Sequence, residues 1–347
     1  MNFKLFASCF LVSGAYRSLI ADVQRQTYYL IPNALYIILK EEKNSSLASI
    51  MDKYSADDKS VIREYFDFLF ANELIFWCNQ SDLSNFPEIS LDYKESSKIT
   101  NAIVDIDTHS DHDFRKIFNN LDDLGCKSVQ IRSFDTRPVP FFENLLQESD
   151  NKMLVYIEIL MKDNSNILHN ELENLTKIFS RLQKIIVHSA SKEKVLFQNI
   201  DASIIYTEQL INSESHCGII HLDYFSINLG VFIESQGFNT CLNRKISVCK
   251  DGKIRNCPSL VAADYGNIND TSLTEAFAKD GFTDIWSITK DQISICQDCE
   301  FRHICTDCRA YIQNPKNIFS KPAKCGYDPY TATWGELNLS DNPLYGQ

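Results

Sequence analysis

Apolar and polar positions in the first 78 residues follow the pattern of a small sheet followed by helices. Three short β-prone runs come first, three amphipathic runs follow, and a final apolar run closes the unit. The predicted strands cover residues 3–12, 17–23 and 27–31, and the predicted helices cover residues 34–40, 46–54 and 56–71. A small sheet followed by three helices is the order of a winged-helix module.

A polar stretch over residues 79–98 predicts a linker, and a second pattern begins after it. Apolar runs of strand length then alternate with amphipathic runs as far as residue 207. The predicted strands are 99–106, 128–134, 153–160, 184–188 and 202–206, and the predicted helices are 112–124, 140–147, 170–182 and 193–199. This alternation predicts a parallel sheet with helical crossovers in an α/β chain. Five strands are too few for a closed barrel, so we expect a degenerate partial (β/α) barrel over residues 99–235.

Composition and charge mainly exclude functions. The chain has 347 residues and a net charge of −12, which disfavours nucleic-acid binding because that depends on Lys and Arg neutralising phosphates. No apolar run approaches the ~20 residues that span a bilayer, so no membrane attachment is expected. The apolar residues before Cys9 are too few for a signal peptide. We therefore expect a cytoplasmic protein.

Eight of the 12 cysteines lie between positions 241 and 325. Their spacing is Cys241-x10-Gly-x4-Cys257, then Cys296-x2-Cys299-x5-Cys305-x2-Cys308, then Cys325, with Cys249 inside the first part. In a cytoplasmic protein such clusters bind metal more often than they form disulfides. One interpretation is a four-thiolate zinc site of Cys296, Cys299, Cys305 and Cys308. That site would leave Cys241, Cys257 and Cys325 unexplained.

The cysteine spacing resembles the SPASM domain, the auxiliary-cluster module of radical SAM peptide maturases. One departure is Cys308, which follows Cys305 after two residues where the family has three. The resemblance implies a domain over residues 236–347 that holds two [4Fe–4S] clusters with interleaved ligands. It assigns Cys241, Cys257 and Cys308 to the first cluster and Cys296, Cys299, Cys305 and Cys325 to the second.

The first cluster then needs a fourth ligand, and the candidates are Cys217 and Cys249. If the hairpin turns at the two residues 251–252, Cys249 pairs with Ile254. Cys249 and Cys257 then lie on opposite faces, about 10 Å apart along the ladder. We therefore favour Cys217, and an open site filled by substrate or water remains an alternative.

The order of elements in residues 1–78 resembles the peptide-recognition elements related to the quinone-cofactor protein PqqD. Such modules bind a leader peptide as an added strand beside their own sheet edge, so the resemblance implies a precursor-peptide partner. A packing domain and a DNA-binding winged helix are the alternatives, and the acidic net charge disfavours the second.

One motif of radical SAM enzymes is missing. Those enzymes carry Cys-x3-Cys-x2-Cys after the first barrel strand, whereas here that strand runs into residues 105–113, which contain no cysteine. Binding of S-adenosylmethionine (SAM) is therefore not expected. The acidic and imidazole side chains of this segment offer another metal site, or Asp111 or Asp113 caps the next helix. The candidates for that metal site are Asp105, Asp107, His109, His112 and Asp113.

Runs around the cysteines resemble the SPASM-domain peptide maturase of grasp-with-spasm systems over nearly the whole chain. They include residues 216–218, 239–245, 299–302, 305–310 and 325–330. The resemblance implies an iron–sulfur protein that binds a precursor peptide and works with an ATP-grasp ligase. It would act by electron transfer, by positioning the peptide or by docking the ligase, and no catalytic residue is identified. The alternatives are a non-catalytic adaptor with structural zinc or iron–sulfur sites, and a degenerate enzyme that still uses SAM.

Overall fold

The computed structural model describes residues 1–150, 152–164, 167, 169–199 and 202–335. The first 78 residues form an antiparallel sheet of β2, β3 and β4, a two-stranded sheet of β1 and β5, and three helices. These elements are β1 (Asn2–Leu5), β2 (Cys9–Val12), β3 (Ser18–Asp22), β4 (Thr27–Ile31), α1 (Asn33–Glu41), α2 (Leu47–Met51), α3 (Ala56–Ala71) and β5 (Ile75–Cys78). The predicted order of sheet and helices is present, and its identity as a winged-helix module stays a prediction.

The single strand predicted over residues 3–12 is wrong, because the chain turns between β1 and β2. At this turn the Cys9 N–H donates to the Phe6 carbonyl at 2.9 Å. The turn allows β1 to pair with β5 while β2 pairs with β3. The small β1–β5 sheet then covers the helices, with the rings of Phe3 and Phe66 in edge contact at 5.0 Å.

The rest of the chain alternates strands and helices up to β11 and then becomes irregular. Its elements are β6 (Asn101–Ile106), α4 (Phe114–Asp123), β7 (Ser128–Ser133), α5 (Val139–Glu148), β8 (Tyr156–Lys162), α6 (His169–Ile178), β9 (Leu182–His188), β10 (Lys194–Asn199), β11 (Ala202–Tyr206), α7 (Leu229–Glu234), β12 (Lys245–Val248), β13 (Ile254–Arg255), α8 (Leu273–Phe277), β14 (Tyr327–Asp328) and β15 (Thr333–Trp334). Of the helices in the described ranges, none has the length and apolar content to cross a membrane.

One large sheet organises this region, with strand order β10-β11-β9-β8-β7-β6-β12-β13. The six inner strands are parallel, and each outer strand is antiparallel to its neighbour. The predicted α/β class with a large parallel sheet is confirmed. Within the described residues the two outer strands do not pair with each other, so the sheet is open.

The helix predicted over residues 193–199 is wrong, because this segment is strand β10. It forms an antiparallel hairpin arm with β11, in which Lys194 lies opposite Tyr206. A parallel connection from β9 to β11 needs about a dozen residues, and here an edge strand fills that length in place of a helix. Short apolar runs of this kind do not distinguish a strand from a helix by their pattern alone.

The sheet continues past residue 235, where the sequence predicts a domain boundary. Strand β12 pairs in parallel with β6, with Ile246 opposite Ala102. The same apolar core contains residues from β6 to β9 together with Leu273 and Phe282. The division into domains at 1–78, 99–235 and 236–347 stays a prediction, and the sheet and its core extend across the second boundary.

A further apolar core joins the N-terminal sheet to the cysteine-rich end of the chain. Phe10 stacks on Phe232 at 4.4 Å, and Tyr28 meets Phe301 edge-on at 5.6 Å. The loop between β2 and β3 also lies against this end, since a Cβ at Gly14 would come within 2.9 Å of the Glu300 backbone nitrogen. The N-terminal sheet is therefore packed directly beside the second half of the cysteine motif.

Candidate metal centres

Four cysteines from the C-terminal region line one small cavity of about 30 Å³. We call them the second cysteine group, and they are Cys296, Cys299, Cys305 and Cys325. The first two flank a short 3-10 turn, in which the Cys299 N–H donates to the Cys296 carbonyl at 3.0 Å. Cys325 joins them through a parallel bridge to Ile220. The four residues that the resemblance assigns to the second cluster thus share one cavity.

Burial strongly affects these thiols. It raises the pKa of Cys296 to about 12, against the opposing effect of Lys290. Burial also raises the pKa values of Cys299 and Cys305 above their ordinary range. Thiols in such surroundings stay protonated unless a cation or a bound metal stabilises the thiolate.

A buried lysine lies against the second cysteine group. Lys290 is 7% exposed, and its ammonium donates to the carbonyls of Cys305 at 2.9 Å and Thr306 at 2.7 Å. Burial lowers the pKa of Lys290, but Cys305, Asp307 and Cys296 together raise it above its ordinary value. Lys290 is therefore a fixed positive charge beside the four sulfurs.

A second set of four cysteines lies together near the parallel sheet. We call it the first cysteine group, and its members are Cys217, Cys241, Cys257 and Cys308. Gly218 has a φ of +87°, and a Cβ there would lie 2.8 Å from the Cys308 sulfur, so the chain at 217–218 is pressed onto Cys308. Burial raises the pKa of Cys308 to about 12, and Cys241 and Cys257 add to the rise. Burial likewise raises the pKa of Cys257 to about 11, with further contributions from Cys241 and Cys217.

Two cations contact the sulfurs of the first cysteine group. The Lys245 ammonium lies 3.5 Å from the Cys241 sulfur, and the neighbouring cysteines raise the pKa of Lys245 although its burial alone would lower it. The Arg132 guanidinium donates to the Cys217 sulfur at 2.9 Å. Its other nitrogens donate to both oxygens of Asp105, at 2.6 and 2.7 Å, in a fully buried pair. Asp105 thereby fixes Arg132, and Arg132 fixes Cys217.

Cys249 lies outside both groups, but the hairpin register predicted for it is wrong. Strand β12 pairs Val248 with Ile254, so three residues form the turn instead of two. Gly252 closes that turn with a φ of +81°, a conformation that favours glycine. The argument from opposite faces therefore fails. Burial raises the pKa of Cys249 to about 12, and the charges that act on it are those of Arg255, Asp105, Asp251 and Glu214, with no cysteine among them.

The acidic segment after β6 is used by the fold itself. Asp113 caps α4, since its carboxylate accepts the Lys116 N–H at 3.0 Å. Asp105 is bound to Arg132, and Asp107 accepts the His109 N–H at 2.9 Å. His112 is bound through its Nε2 to the Asp105 carbonyl at 3.0 Å. These partners leave few donor atoms for the metal site that the sequence offered here.

The arrangement also discriminates between a single ion and a cluster. Within the described ranges, no group of three or more His, Cys, Asp or Glu side chains could hold a metal ion. Cys308 lies with the first cysteine group, which speaks against a zinc site shared with Cys296, Cys299 and Cys305. A zinc ion needs its sulfurs about 2.3 Å from one point, whereas a [4Fe–4S] cluster takes one thiolate on each of four irons and spreads them apart. Two groups of four thiols fit two such clusters.

The sequence did not identify the cations of these sites. Lys245 and Lys290 lie in ordinary-looking polar positions, and only the folded chain brings them to the sulfurs. Arg132 carried a detectable signal, because a charged residue at the end of an apolar strand next to Asp105 on the neighbouring strand predicts a buried pair. All 12 cysteines are free, and Cys9, Cys78 and Cys126 are buried away from both groups, as the sequence predicts.

No family profile and no curated protein matches the chain. Among solved structures, those of Streptococcus suis SuiB bound to S-adenosylmethionine and of SuiB bound to precursor peptide SuiA are similar in overall fold. Each is 11% identical in sequence and covers 89% of this chain and 96% of that chain, with TM-scores of 0.32 and 0.35. A further SuiB structure has a TM-score of 0.34 at 10% identity. So weak a likeness carries no argument about activity.

Proposed function

We propose that this chain is an iron–sulfur protein of ribosomal-peptide maturation that holds two [4Fe–4S] clusters. Cys217, Cys241, Cys257 and Cys308 would hold the first, and Cys296, Cys299, Cys305 and Cys325 the second. The observation that carries the proposal is the sorting of eight thiols into two groups of four, each beside a lysine. When bound, such clusters supply one-electron transfer. Lys245 and Lys290 would offset their negative charge.

The precursor peptide would bind the N-terminal unit as an added strand. Strand β4 pairs only with β3 among the described residues, so its outer edge offers free backbone donors and acceptors. Leu30 of β4 and Phe68 of α3 are each 38% exposed, and the Tyr29 ring contacts Phe68. A leader peptide on this edge would gain backbone hydrogen bonds and apolar contacts. An ATP-grasp ligase as the second partner rests on the sequence resemblance.

Use of SAM is not part of this proposal, although the SuiB structure is a complex with that cofactor. Strand β6 ends in Asp105 without any cysteine, and the Asp105 carboxylate is engaged by Arg132. Isothermal titration calorimetry of the iron-loaded protein with SAM is expected to give no binding heat. Measurable binding would favour the degenerate SAM enzyme.

Anaerobic purification with iron and acid-labile sulfide analysis tests the clusters. We expect about eight iron and eight sulfide per chain, and two signals by electron paramagnetic resonance of the reduced protein. About one zinc per chain without labile sulfide would overturn the proposal.

One observation favours the alternative of a non-catalytic adaptor. The second cysteine group packs into the core that the N-terminal sheet shares with Phe232, so a cluster there would hold the peptide-binding unit in place. Alanine variants at Cys257 and Cys296 discriminate between the two functions. If peptide modification persists in cells with folded variant protein, the clusters are structural; loss of modification with retained peptide binding supports participation in the chemistry.

A further inference from the structure

A cavity of about 310 Å³ lies in the N-terminal unit, away from both cysteine groups. Its walls come from β1, β2, the end of α1 and residues 87–91 of the predicted linker. We propose that this cavity binds an acidic side chain, flanked by apolar residues, of an extended partner peptide. The site is independent of the proposed clusters, so protein without iron is expected to bind as well.

Lys4 is the main support for an anionic ligand. It lines the cavity and is only 8% exposed, yet its ammonium has no hydrogen bond or ion pair with any described residue. A buried charge without a partner is costly, and proteins normally pair such groups. An incoming carboxylate would supply the missing partner.

The remaining walls fit an apolar peptide that carries a negative charge. Phe6, Phe10, Leu11 and Leu39 form much of the lining. The charged lining residues are three lysines and one glutamate, namely Lys4, Lys40, Lys43 and Glu88. The excess of positive charge within apolar walls matches an acidic residue between apolar neighbours.

The linker itself supplies a segment of the same chemistry at this site. Residues 87–91 read Pro-Glu-Ile-Ser-Leu, with Glu88 paired to Lys43 and with Ile89 and Leu91 on the cavity wall. Just before this segment, Phe86 packs edge-on against Phe76 at 4.7 Å. An acidic residue among apolar ones, in irregular extended chain, is thus already accommodated at one side of the cavity.

This cover is held weakly enough to be displaced. The side chains of Lys43 and Glu88 are 55% and 64% exposed, and an ion pair in such a position contributes little because water and salt screen it. Leu91 is 41% exposed, so its burial adds little as well. Glu88 would compete with the partner's carboxylate for Lys43, and its removal would favour the partner.

The site is separate from the proposed leader-binding edge. It borders β2, whereas the free edge belongs to β4, on the opposite side of the β2-β3-β4 sheet. Metal analysis tests the clusters, and peptide binding to iron-free protein tests this cavity. Failure of one proposal is therefore distinguishable from failure of the other.

The test is fluorescence anisotropy with the full chain and a labelled synthetic peptide of the sequence of residues 85–91, Asn-Phe-Pro-Glu-Ile-Ser-Leu. Glu88→Gln in the chain removes the internal competitor and is expected to tighten binding several-fold. Lys4→Met keeps the length of the side chain without its charge and is expected to weaken binding about tenfold. A peptide with Gln in place of its Glu should lose affinity by a similar factor.

Lys53→Met is the matched control, because Lys53 belongs to the same unit, pairs with Glu42 and does not line the cavity. It should leave binding unchanged. Lys4→Met should also leave the thermal midpoint unchanged or raise it, since no ion pair is lost. Equal binding by the Lys4→Met chain and by the Gln peptide would overturn the proposal. So would displacement by octanoate in a chain that binds no peptide.

Discussion

The first and second cysteine groups differ in how the chain brings them together. Three members of the second group lie within residues 296–305, and short turns place them around one cavity. The first group collects Cys217, Cys241, Cys257 and Cys308 from four separate segments beside the parallel sheet. Distant segments meet only after the loops between them have closed, which costs chain entropy. The first group therefore depends on the completed sheet, whereas most of the second is set by local sequence.

The cations of the two groups also act on different atoms. At the first group, Lys245 and Arg132 contact sulfur atoms directly. At the second group, the Lys290 ammonium donates to two backbone carbonyls and holds the loop that carries Cys305. The first pair of cations is placed to adjust the electronic properties of a cluster, and Lys290 is placed to stabilise the local backbone.

The largest expected effect is the loss of one cluster in Cys305→Ala. Iron should fall from about eight to about four per chain, because this variant lacks one thiolate of the second group. The free energy of unfolding should also fall, since metal binding is coupled to folding and this group joins the N-terminal sheet. Iron analysis and urea unfolding measure both quantities. Cys126→Ala, at a buried thiol of the sheet core, is the control and should keep its iron.

Cys217→Ser tests the membership of the first group against Cys249→Ser. The Cys217 variant should lose iron from the first cluster and keep the resonance signal of the second. The Cys249 variant should keep all its iron, because the groups that act on Cys249 are Arg255 and carboxylates. Iron loss in the Cys249 variant with none in the Cys217 variant would exchange the two residues in the ligand set.

The same contrast explains what could be predicted from sequence. The second group and the alternating strands were predictable because local spacing and apolar period determine them. The Arg132 contact to Cys217 and the turn of three residues before Ile254 were not, since both depend on the register between strands. Strand β10 was mistaken for a helix because pairing with β11 outweighs the weak preference of its short sequence.

Lys290→Met and Lys245→Met should differ in their effect on stability when both variants lack iron. The first leaves the buried carbonyls of Cys305 and Thr306 without their donor, which costs about 1–3 kcal/mol of the free energy of unfolding. The second removes only a contact of 3.5 Å to a sulfur and should cost less. Urea unfolding of the two variants gives the difference. Equal losses would mean that Lys245 also has a structural role.

The smallest expected effect is a shift of reduction potential, and it separates the two groups most directly. Adding an electron makes a cluster more negative, so a nearby positive charge favours reduction. Lys245→Met should therefore lower the potential of the first cluster, because the Lys245 ammonium contacts a sulfur of that group. The second cluster should keep its potential in the same protein and serves as the internal control. Redox titration followed by electron paramagnetic resonance reports both signals. If the second potential falls instead, the lysine acts on the wrong centre, and the assignment of Cys241 to the first group is wrong.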